Sequence, residues 1–490
     1  MDKPDVFNDL EPNKKHYMSW PVIALIDFVT IISFENIFYP FQNQGLSVVV
    51  SWIFLLFSYV IPYALIATQL GLTFGGEEAG GLASWIRRGT HSDLFGYVTS
   101  WMYWTQTIPY LVDVSNSVVV SISWIILGNA TLNQHMSTTT FGLMTFIIIL
   151  LFIIFENKVK NSLEILSIIG GGAMFLISML FVFMTVWALA HGAHIATHFS
   201  WSAFKPSFSL HYFSTTGLLI FAMSGAELAA PYISRLKNPR KDFHKAMWAL
   251  ALMTAFLTIF GTLALAVFFN ANHIPSDFKM NGPYYAFRLL GEQCGMGKTL
   301  MYVFAFVQLF FMLAQLAILI DAASRVFASD TASKYMPSWL TKTNKNGRPV
   351  NSYILTAGIS LLILLLSGTL PSINSIYNWL LNLNGIVSPY KTALVFVAFI
   401  AIRWHEDEFK SDYVYIKNRK GALAMGWWCF IFTFVCATLG FIPQNANPGT
   451  ASFNHQLIMN FLTVGFLIVL GFLLPGLRKL EVKRKGLKEE

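Results

Sequence analysis

Long apolar runs separated by short polar segments recur along the whole chain. Residues 50–70 and 141–155 approach or reach the roughly 20 apolar residues that a helix needs to cross a bilayer. Polar and apolar residues do not alternate by twos in these runs, so the pattern does not predict a β-barrel. We therefore predict an all-α polytopic membrane protein. Its twelve predicted transmembrane helices lie at roughly 20–39, 47–70, 97–126, 140–156, 164–190, 213–233, 246–269, 299–325, 352–368, 373–401, 424–442 and 455–477.

These helices divide the chain into five predicted parts. The parts are a cytoplasmic N-terminus at 1–19, a first group of five helices at 20–190, a second group of five at 213–401, two further helices at 424–477 and a cytoplasmic C-terminus at 478–490. The connecting segments are shorter than the roughly 50 residues of a small soluble domain, so we expect no separate catalytic domain.

Lysine and arginine are distributed unequally between the two sides of this topology. Of the 33 basic residues, 28 fall in the termini and in the loops on the same side, four fall in the opposite loops, and Lys391 lies within a span. Lysine and arginine of short loops collect on the cytoplasmic side of a membrane. We therefore predict a multi-pass protein of the cell membrane with both termini in the cytoplasm.

The overall composition agrees with this prediction. Hydrophobic residues make up 55% of the chain and charged residues only 12%, against about 25% charged in ordinary soluble domains. The net charge of +8 comes from basic residues dispersed over the cytoplasmic segments, so it does not indicate nucleic-acid binding. The three cysteines have no metal-ligand spacing, and we predict neither a metal nor a cofactor.

Two of the predicted helices contain polar interruptions. Residues 32–40 place Ser33 and Glu35 in an otherwise apolar run, and residues 221–231 place Gly225 in a polar cluster. Unwound helix segments supply polar groups for a substrate near the middle of the membrane, so paired interruptions are typical of transporters. Close helix packing at Gly225 is the alternative interpretation.

Carboxylates within the spans are a second sign of function. Glu35 and Glu227 lie at the proposed interruptions, and Asp113 lies near the middle of the third span. An ionised carboxylate at the centre of a membrane helix costs about 2.5 to 3.5 kcal/mol, so each of these acids needs a partner or a proton. We interpret Glu35 and Glu227 as functional, whereas for Asp113 the functional and structural interpretations stay equally open.

Several stretches, in order along nearly the whole chain, resemble one family. They are FAMSGAELAAPYISRLKNPRKDFHKAM at 221–247, EEAGGLASWI at 77–86 and NKNGRPVNS at 344–352. The chain resembles the permeases of the amino acid, polyamine and organocation superfamily, most of all the bacterial branch of glutamate to γ-aminobutyrate antiporters. The resemblance implies two inverted repeats of five helices followed by two further helices, discontinuous helices 1 and 6, and alternating access to one amino acid site.

The resemblance also implies roles for particular residues. The main chain around Ile32, Ser33 and Phe34 would hold the substrate carboxylate, and Phe221 would close over the substrate. The carbonyl groups of Ala222, Met223, Ser224 and Gly225 would hold the substrate ammonium, and Glu227 would act as a gate. Tyr110 and Gln315 are further candidates for the pocket, with core packing as the alternative. The sequence departs from the family at Ser33, Phe34 and Glu35, where many members have Gly-Ser-Gly.

These residues lead to a hypothesis about the substrate. A carboxylate at Glu35 repels an anionic side chain and attracts an amine. We therefore expect a secondary transporter, an antiporter that exchanges a neutral or cationic amino acid for its decarboxylated amine. The alternative is proton symport, with Glu35, Asp113 or Glu227 carrying the proton. A membrane-embedded enzyme is less favoured, because the histidines are scattered and form no HExxH motif.

Overall fold

The computed structural model describes residues 17–74, 81–159, 162–328, 334–344, 349–444 and 446–485. Most of the predicted N-terminal segment, the end of the C-terminal segment and parts of the stretches 77–86 and 344–352 lie outside the described residues. Within the described residues the regular structure is helical, apart from an isolated parallel bridge between Met18 and Leu236. The predicted all-α class is therefore confirmed.

The helices follow the apolar runs of the sequence. They are α1 (Trp20–Ile31), α2 (Phe38–Gln44), α3 (Ser47–Phe74), α4 (Gly81–Thr90), α5 (Asp93–Leu127), α6 (Thr138–Lys158), α7 (Leu163–Ala190), α8 (Thr216–Phe221), α9 (Pro239–Phe268), α10 (Phe278–Gln293), α11 (Thr299–Ala328), α12 (Val350–Ser367), α13 (Ile373–Trp404), α14 (Arg419–Leu439) and α15 (Ala451–Lys485). A 3-10 turn at Phe34–Ile37 precedes α2, and a 3-10 segment at Ala226–Arg235 follows α8.

Among the described residues, ten helices are long and apolar enough to cross a membrane. An eleventh span is bent by 48° and consists of α1 together with Phe34–Gln44. The predicted span at 213–233 is divided into pieces that are each too short to cross a bilayer as one helix. The protein is therefore a multi-pass membrane protein with ten or eleven evident spans, and the predicted count of twelve depends on this divided segment.

Burial separates central helices from peripheral ones. The apolar parts of α5 and α13 are the most buried of the ten spans, whereas most of α6 is exposed and faces the surroundings with leucine and isoleucine side chains. The apolar surface of α6 is what lipid tails accommodate without cost. The polar side chains of α5 and α13 are thus kept in the interior of the helix bundle.

Close packing holds α8 in the centre of this bundle. A Cβ atom built on Gly217 would lie 2.6 Å from the carbonyl oxygen of Gly385 in α13 and 3.0 Å from that of Cys436 in α14. Small residues allow such an approach between membrane helices, where van der Waals contact is the main attraction. Gly217 therefore fixes the position of Phe221, at the end of the same short helix.

We expect Gly217→Ala to lower the free energy of unfolding by about 1 to 3 kcal/mol, because the added methyl group would press on two backbone carbonyl groups that cannot rotate away. The measurement is the melting temperature in detergent, followed by tryptophan fluorescence. Gly358→Ala in α12 is the matched control, since its Cβ would meet nothing within 4 Å. Equal melting temperatures for the two variants would contradict the assigned contact.

Candidate functional site

The first span is interrupted directly after α1. Ile32 and Ser33 are extended, and helical structure resumes as the 3-10 turn Phe34–Ile37. We call residues 32 and 33 the first break. The hydroxyl group of Ser33 donates to Oδ1 of Asn36 at 2.6 Å. Since the first N–H groups of a helix have no acceptor within it, this restart leaves main-chain donors for other partners.

The second interruption follows α8 at residues 222–225, which we call the second break. Gly225 has φ of +140°, a conformation that residues with a side chain rarely adopt. A Cβ atom there would also lie 3.0 Å from Cγ1 of Ile31 and 3.5 Å from Oγ1 of Thr30. The two breaks are therefore neighbours in space. Gly225 is needed both for the backbone conformation of the second break and for close helix packing, which was the alternative interpretation from the sequence.

A small cavity of about 20 Å³ lies beside the two breaks. It is lined by Thr30, Tyr103, Gln106, Thr107, Tyr110, Phe221, Ser224, Leu228, Gln315, Ile318, Leu319, Ser388 and Lys391. This volume accommodates about one water molecule. An amino acid needs more room, so the surrounding helices or side chains must move before one can bind.

A buried ion pair lies next to this cavity. Nζ of Lys391 is 2.6 Å from Oε1 of Glu227, and their side chains are only 3% and 0% exposed. The hydroxyl group of Tyr63 donates to the other oxygen of Glu227 and accepts the N–H of Gly225 at 2.9 Å. Nζ of Lys391 also lies 5.0 Å from the ring centre of Tyr103. The pair thus links α13 to the second break and to α3.

A second polar group surrounds Glu35, just after the first break. Oε2 of Glu35 accepts from Nε2 of Gln308 at 2.8 Å and from the hydroxyl group of Tyr377 at 3.2 Å. Glu35 is not among the residues that line the cavity. The neighbouring Phe34 packs its ring against Phe181, with centroids 4.9 Å apart. The side chain of Phe34 therefore belongs to an aromatic core, and only the main chain of Phe34 is left to contact a substrate.

Polar side chains of α5, α11 and α13 form hydrogen bonds with one another and with the main chain of α1 near the first break. Oδ2 of Asp113 accepts from Nδ2 of Asn384 at 2.8 Å. Nε2 of Gln315 donates at 2.8 Å both to the hydroxyl group of Tyr110 and to the carbonyl group of Val29. That carbonyl lies four residues before Ser33, where the first break ends the helical ladder. Gln315 therefore satisfies a main-chain group that the break has released.

The structure divides the predicted site residues into three groups. Those that line the cavity are Tyr110, Phe221, Ser224 and Gln315. Those that contribute main chain at the breaks without lining the cavity are Ile32, Ser33, Phe34, Ala222, Met223 and Gly225. Those whose carboxyl groups are engaged elsewhere are Glu35, Asp113 and Glu227.

The sequence interpretation missed Lys391 as a residue of the site. It was counted as a basic residue within a span, and no partner was assigned to it. A buried lysine in a membrane helix needs an opposite charge, so this lysine and an acid of the sixth segment could have been paired on that ground. Thr30, Gln106 and Ser388 were also missed, because short polar side chains in a span carry no comparable signal.

Two interrupted helices that meet at a polar cavity inside a helix bundle define a membrane carrier. A family profile described as amino acid permease matches residues 19–476. The chain is 36% identical over 473 residues to the aspartate/glutamate permease AcaP of Lactococcus lactis subsp. cremoris (strain MG1363). The aligned residues make up 95% of this chain and 96% of the relative.

More distant relatives carry the names of antiporters. The chain is 23% identical over 469 residues to the probable agmatine/putrescine antiporter AguD of Lactococcus lactis subsp. lactis (strain IL1403). This alignment includes 94% of this chain and 95% of the relative. It is 21% identical over 425 residues to the glutamate/gamma-aminobutyrate antiporter of the same strain, which covers 82% and 79%. The chain belongs to the amino acid permease family, as its resemblance to that superfamily indicated. It is an amino acid transporter rather than an enzyme.

We expect the ion pair between Lys391 and Glu227 to behave as one unit. Removal of one member of a buried pair costs about 3 to 5 kcal/mol, because a charge is left without a partner, whereas replacement of both members is often nearly neutral. Lys391→Met and Glu227→Gln should each lower the melting temperature, and the double variant should recover most of the loss.

The exposed pair of Arg288 and Glu292, 2.9 Å apart, supplies the matched control. Arg288→Gln, Glu292→Gln and their combination should each change stability by less than about 1 kcal/mol, since solvent-exposed pairs contribute little. Additive losses in the variants of Lys391 and Glu227 would contradict a coupled pair.

Proposed function

We propose that the protein moves an acidic amino acid across the membrane by alternating access at the cavity between the two breaks. The observation that carries this proposal is the charge of the cavity lining. Lys391 is the charged side chain among the lining residues, and the others are apolar or offer hydroxyl and amide groups. The name of the relative with 36% identity, an aspartate/glutamate permease, supports the same substrate class.

Each group of such a substrate has a candidate partner. The main-chain donors at Phe34–Ile37 suit the α-carboxylate, because helix starts attract anions. Carbonyl groups of the second break suit the ammonium, as the family resemblance implied. The side-chain carboxylate would then compete with Glu227 for Lys391, so substrate binding would loosen the contact between α13 and the second break. Tyr110 and Phe221, with ring centroids 5.2 Å apart, would cover the substrate.

This proposal differs from the substrate that the sequence suggested. The expectation of a neutral or cationic amino acid rested on repulsion between Glu35 and an anionic side chain. The carboxylate of Glu35 instead accepts hydrogen bonds from Gln308 and Tyr377, and Glu35 does not line the cavity. Because Glu35 does not line the cavity, its carboxylate would not face the substrate directly, which weakens the argument against an acidic substrate.

Exchange of an amino acid for its amine is the second candidate function. The names of the relatives with 23% and 21% identity support it. An amine product would favour a carboxylate in the cavity, and within the described ranges none of the lining residues is acidic. Proton symport is the other mode of coupling, and it remains compatible with the same cavity.

We expect proteoliposomes loaded with unlabelled aspartate to take up labelled aspartate, because alternating access lets a bound substrate return in either direction. Gly225→Ala should reduce this exchange at least about tenfold, since a backbone conformation at positive φ is strained by about 1 to 3 kcal/mol in residues other than glycine. Gly142→Ala in α6, where a Cβ meets nothing within 4 Å, is the control.

The same vesicles separate the two modes of coupling. Uptake into empty vesicles under an inward pH gradient indicates symport, whereas uptake that strictly requires an internal amine indicates antiport. Failure to exchange aspartate with any internal substrate would overturn the acidic substrate.

We further propose that α1 to α7 and the helices from α8 to α13 form two inverted repeats, and that both termini lie in the cytoplasm. The distribution of the basic residues supports the orientation. In intact cells, an impermeant maleimide should leave a cysteine introduced at exposed Lys485 unlabelled, and it should label one introduced at exposed Ser202. The opposite labelling pattern would contradict the topology.

A further inference from the structure

Two carboxyl groups near the first break share one environment. Asp113 is 5% exposed and lies one helical turn before Ser117, whose hydroxyl group contacts Tyr377, which is itself a partner of Glu35. In the part of the chain that the structure describes, neither carboxylate forms an ion pair with a basic side chain. Asp113 is buried and Glu35 is half-buried, so ionisation of both carboxyl groups would carry an electrostatic cost, and the pair is a place for a cation or a proton.

The hydrogen bonds around the pair contain more acceptors than donors. Gln308 and Asn384 each donate an amide N–H to one of the carboxylates. Their own oxygens, Oε1 of Gln308 and Oδ1 of Asn384, have no partner, and Oδ1 of Asp113 has none either. A proton on one carboxyl group would add an O–H donor to this set. It would therefore remove a charge and satisfy an acceptor in one step.

Two pairs of hydroxyl groups, each with one serine of α5, lie beyond Glu35. The hydroxyl group of Tyr377, which contacts Glu35, lies 3.0 Å from Oγ of Ser117. One helical turn further, Oγ of Ser121 donates to the main-chain carbonyl group of Ser117 and lies 2.8 Å from the hydroxyl group of Tyr284 in α10. Each of these groups can accept one proton and donate another.

Indole, amide and carboxylate groups lie between these hydroxyl groups and the end of α5. Trp124 stacks on Tyr284 with ring centroids 4.9 Å apart and donates to Oδ1 of Asn281 at 2.8 Å. Nδ2 of Asn281 donates to Oδ2 of Asp277, which is only partly buried. In the proposed orientation this end of α5 faces outwards, so polar side chains extend from the carboxyl pair towards the outer surface without forming one unbroken hydrogen-bonded chain.

The other buried acids are less suited to take up this proton. Glu227 already has Lys391 as a counter-charge. Asp27 is fully buried, but neither of its carboxylate oxygens has a hydrogen-bond partner that could deliver a proton. The titratable groups that face Glu35 and Asp113 from α2, α5, α10 and α13 are all phenols, namely Tyr39, Tyr110, Tyr284 and Tyr377.

We propose that Glu35 and Asp113 together bind one proton that is transported with the substrate, and that the hydroxyl groups of Ser117 and Tyr377 deliver this proton to Glu35. This inference rests on the proposed transport of an acidic amino acid. The phenol of Tyr377 passes its proton to a carboxylate oxygen and receives another from Ser117, and Ser117 takes one from a hydronium ion that enters from the outer side, so an O–H bond forms for each one broken. A bound proton offsets the negative charge of the substrate, which otherwise moves against an inside-negative membrane potential.

The test compares two activities of the same proteoliposomes. Exchange of labelled for unlabelled aspartate at equal pH reports the proposed function, and accumulation driven by an inward pH gradient reports the proton site. Asp113→Asn mimics a permanently neutral carboxyl group, so exchange should continue at an altered rate, whereas accumulation should fall at least about tenfold. Asp93→Asn is the control on the same helix, since Asp93 is exposed and pairs with Lys334.

The results separate the two proposals. Absence of aspartate exchange in the unaltered protein would overturn the transport proposal, whatever the pH gradient does. Exchange together with normal accumulation in Asp113→Asn would overturn the proton site alone. Loss of accumulation in Asp27→Asn but not in Asp113→Asn would overturn the assigned pair and indicate that Asp27 binds the proton. Accumulation driven by a sodium gradient instead of a pH gradient would overturn the proton and indicate sodium as the transported cation.

A second pair of variants tests the route if Asp113→Asn does not fold. Tyr377→Phe removes the hydroxyl group between Glu35 and Ser117, and it should slow accumulation about tenfold, as expected for loss of a hydrogen bond to a charged group. Tyr390→Phe on the same helix removes a hydroxyl group that contacts only Thr438, and it should leave accumulation unchanged. Equal rates in the two variants would contradict the route.

Discussion

Hydrocarbon offers no hydrogen-bond partner to an unpaired main-chain group, and the centre of this protein is organised around that constraint. Two helices are interrupted side by side, at residues 32–33 and 222–225. Such interruptions are tolerated only where protein or a polar cavity surrounds them. Gln315 takes up the carbonyl group of Val29 and Tyr63 takes up the N–H of Gly225. The groups that the breaks release are thus bound by side chains from neighbouring helices, and one of these side chains, Gln315, also lines the cavity.

Charge is managed by the same arrangement. Glu227 meets Lys391, and the basic side chain stays beside the cavity. Glu35 and Asp113 are held by amide and hydroxyl groups, which solvate a carboxylate without neutralising it. Lys391 is thus the charged side chain of the cavity lining and is neutralised by Glu227, whereas Glu35 and Asp113 form no ion pair within the described residues. In the proposed transport, an anionic substrate and a proton would therefore bind at different places.

The sequence predicted the helical class, most of the spans and both interruptions, because lipid-facing surface must be apolar over a fixed length and because polar residues in such a run are conspicuous. It could not predict which side chains turn towards the cavity. Phe34 and Glu35 lie beside the first break in the sequence, yet one packs among aromatic rings and the other contacts α11 and α13. Such directions depend on contacts between residues far apart in the chain. The partner of Glu227 was hidden for the same reason, since Lys391 follows it by more than 160 positions.

Tyr63 gives the centre of the protein a property that neither break has alone. Its hydroxyl group accepts the N–H of Gly225 and donates to Glu227, so one oxygen atom serves the main chain and the ion pair together. If the substrate displaces Glu227 from Lys391 as proposed, the change would reach the amide of Gly225 through this one hydroxyl group. An electrostatic change at a side chain would in this way be felt directly by the main chain of the second break.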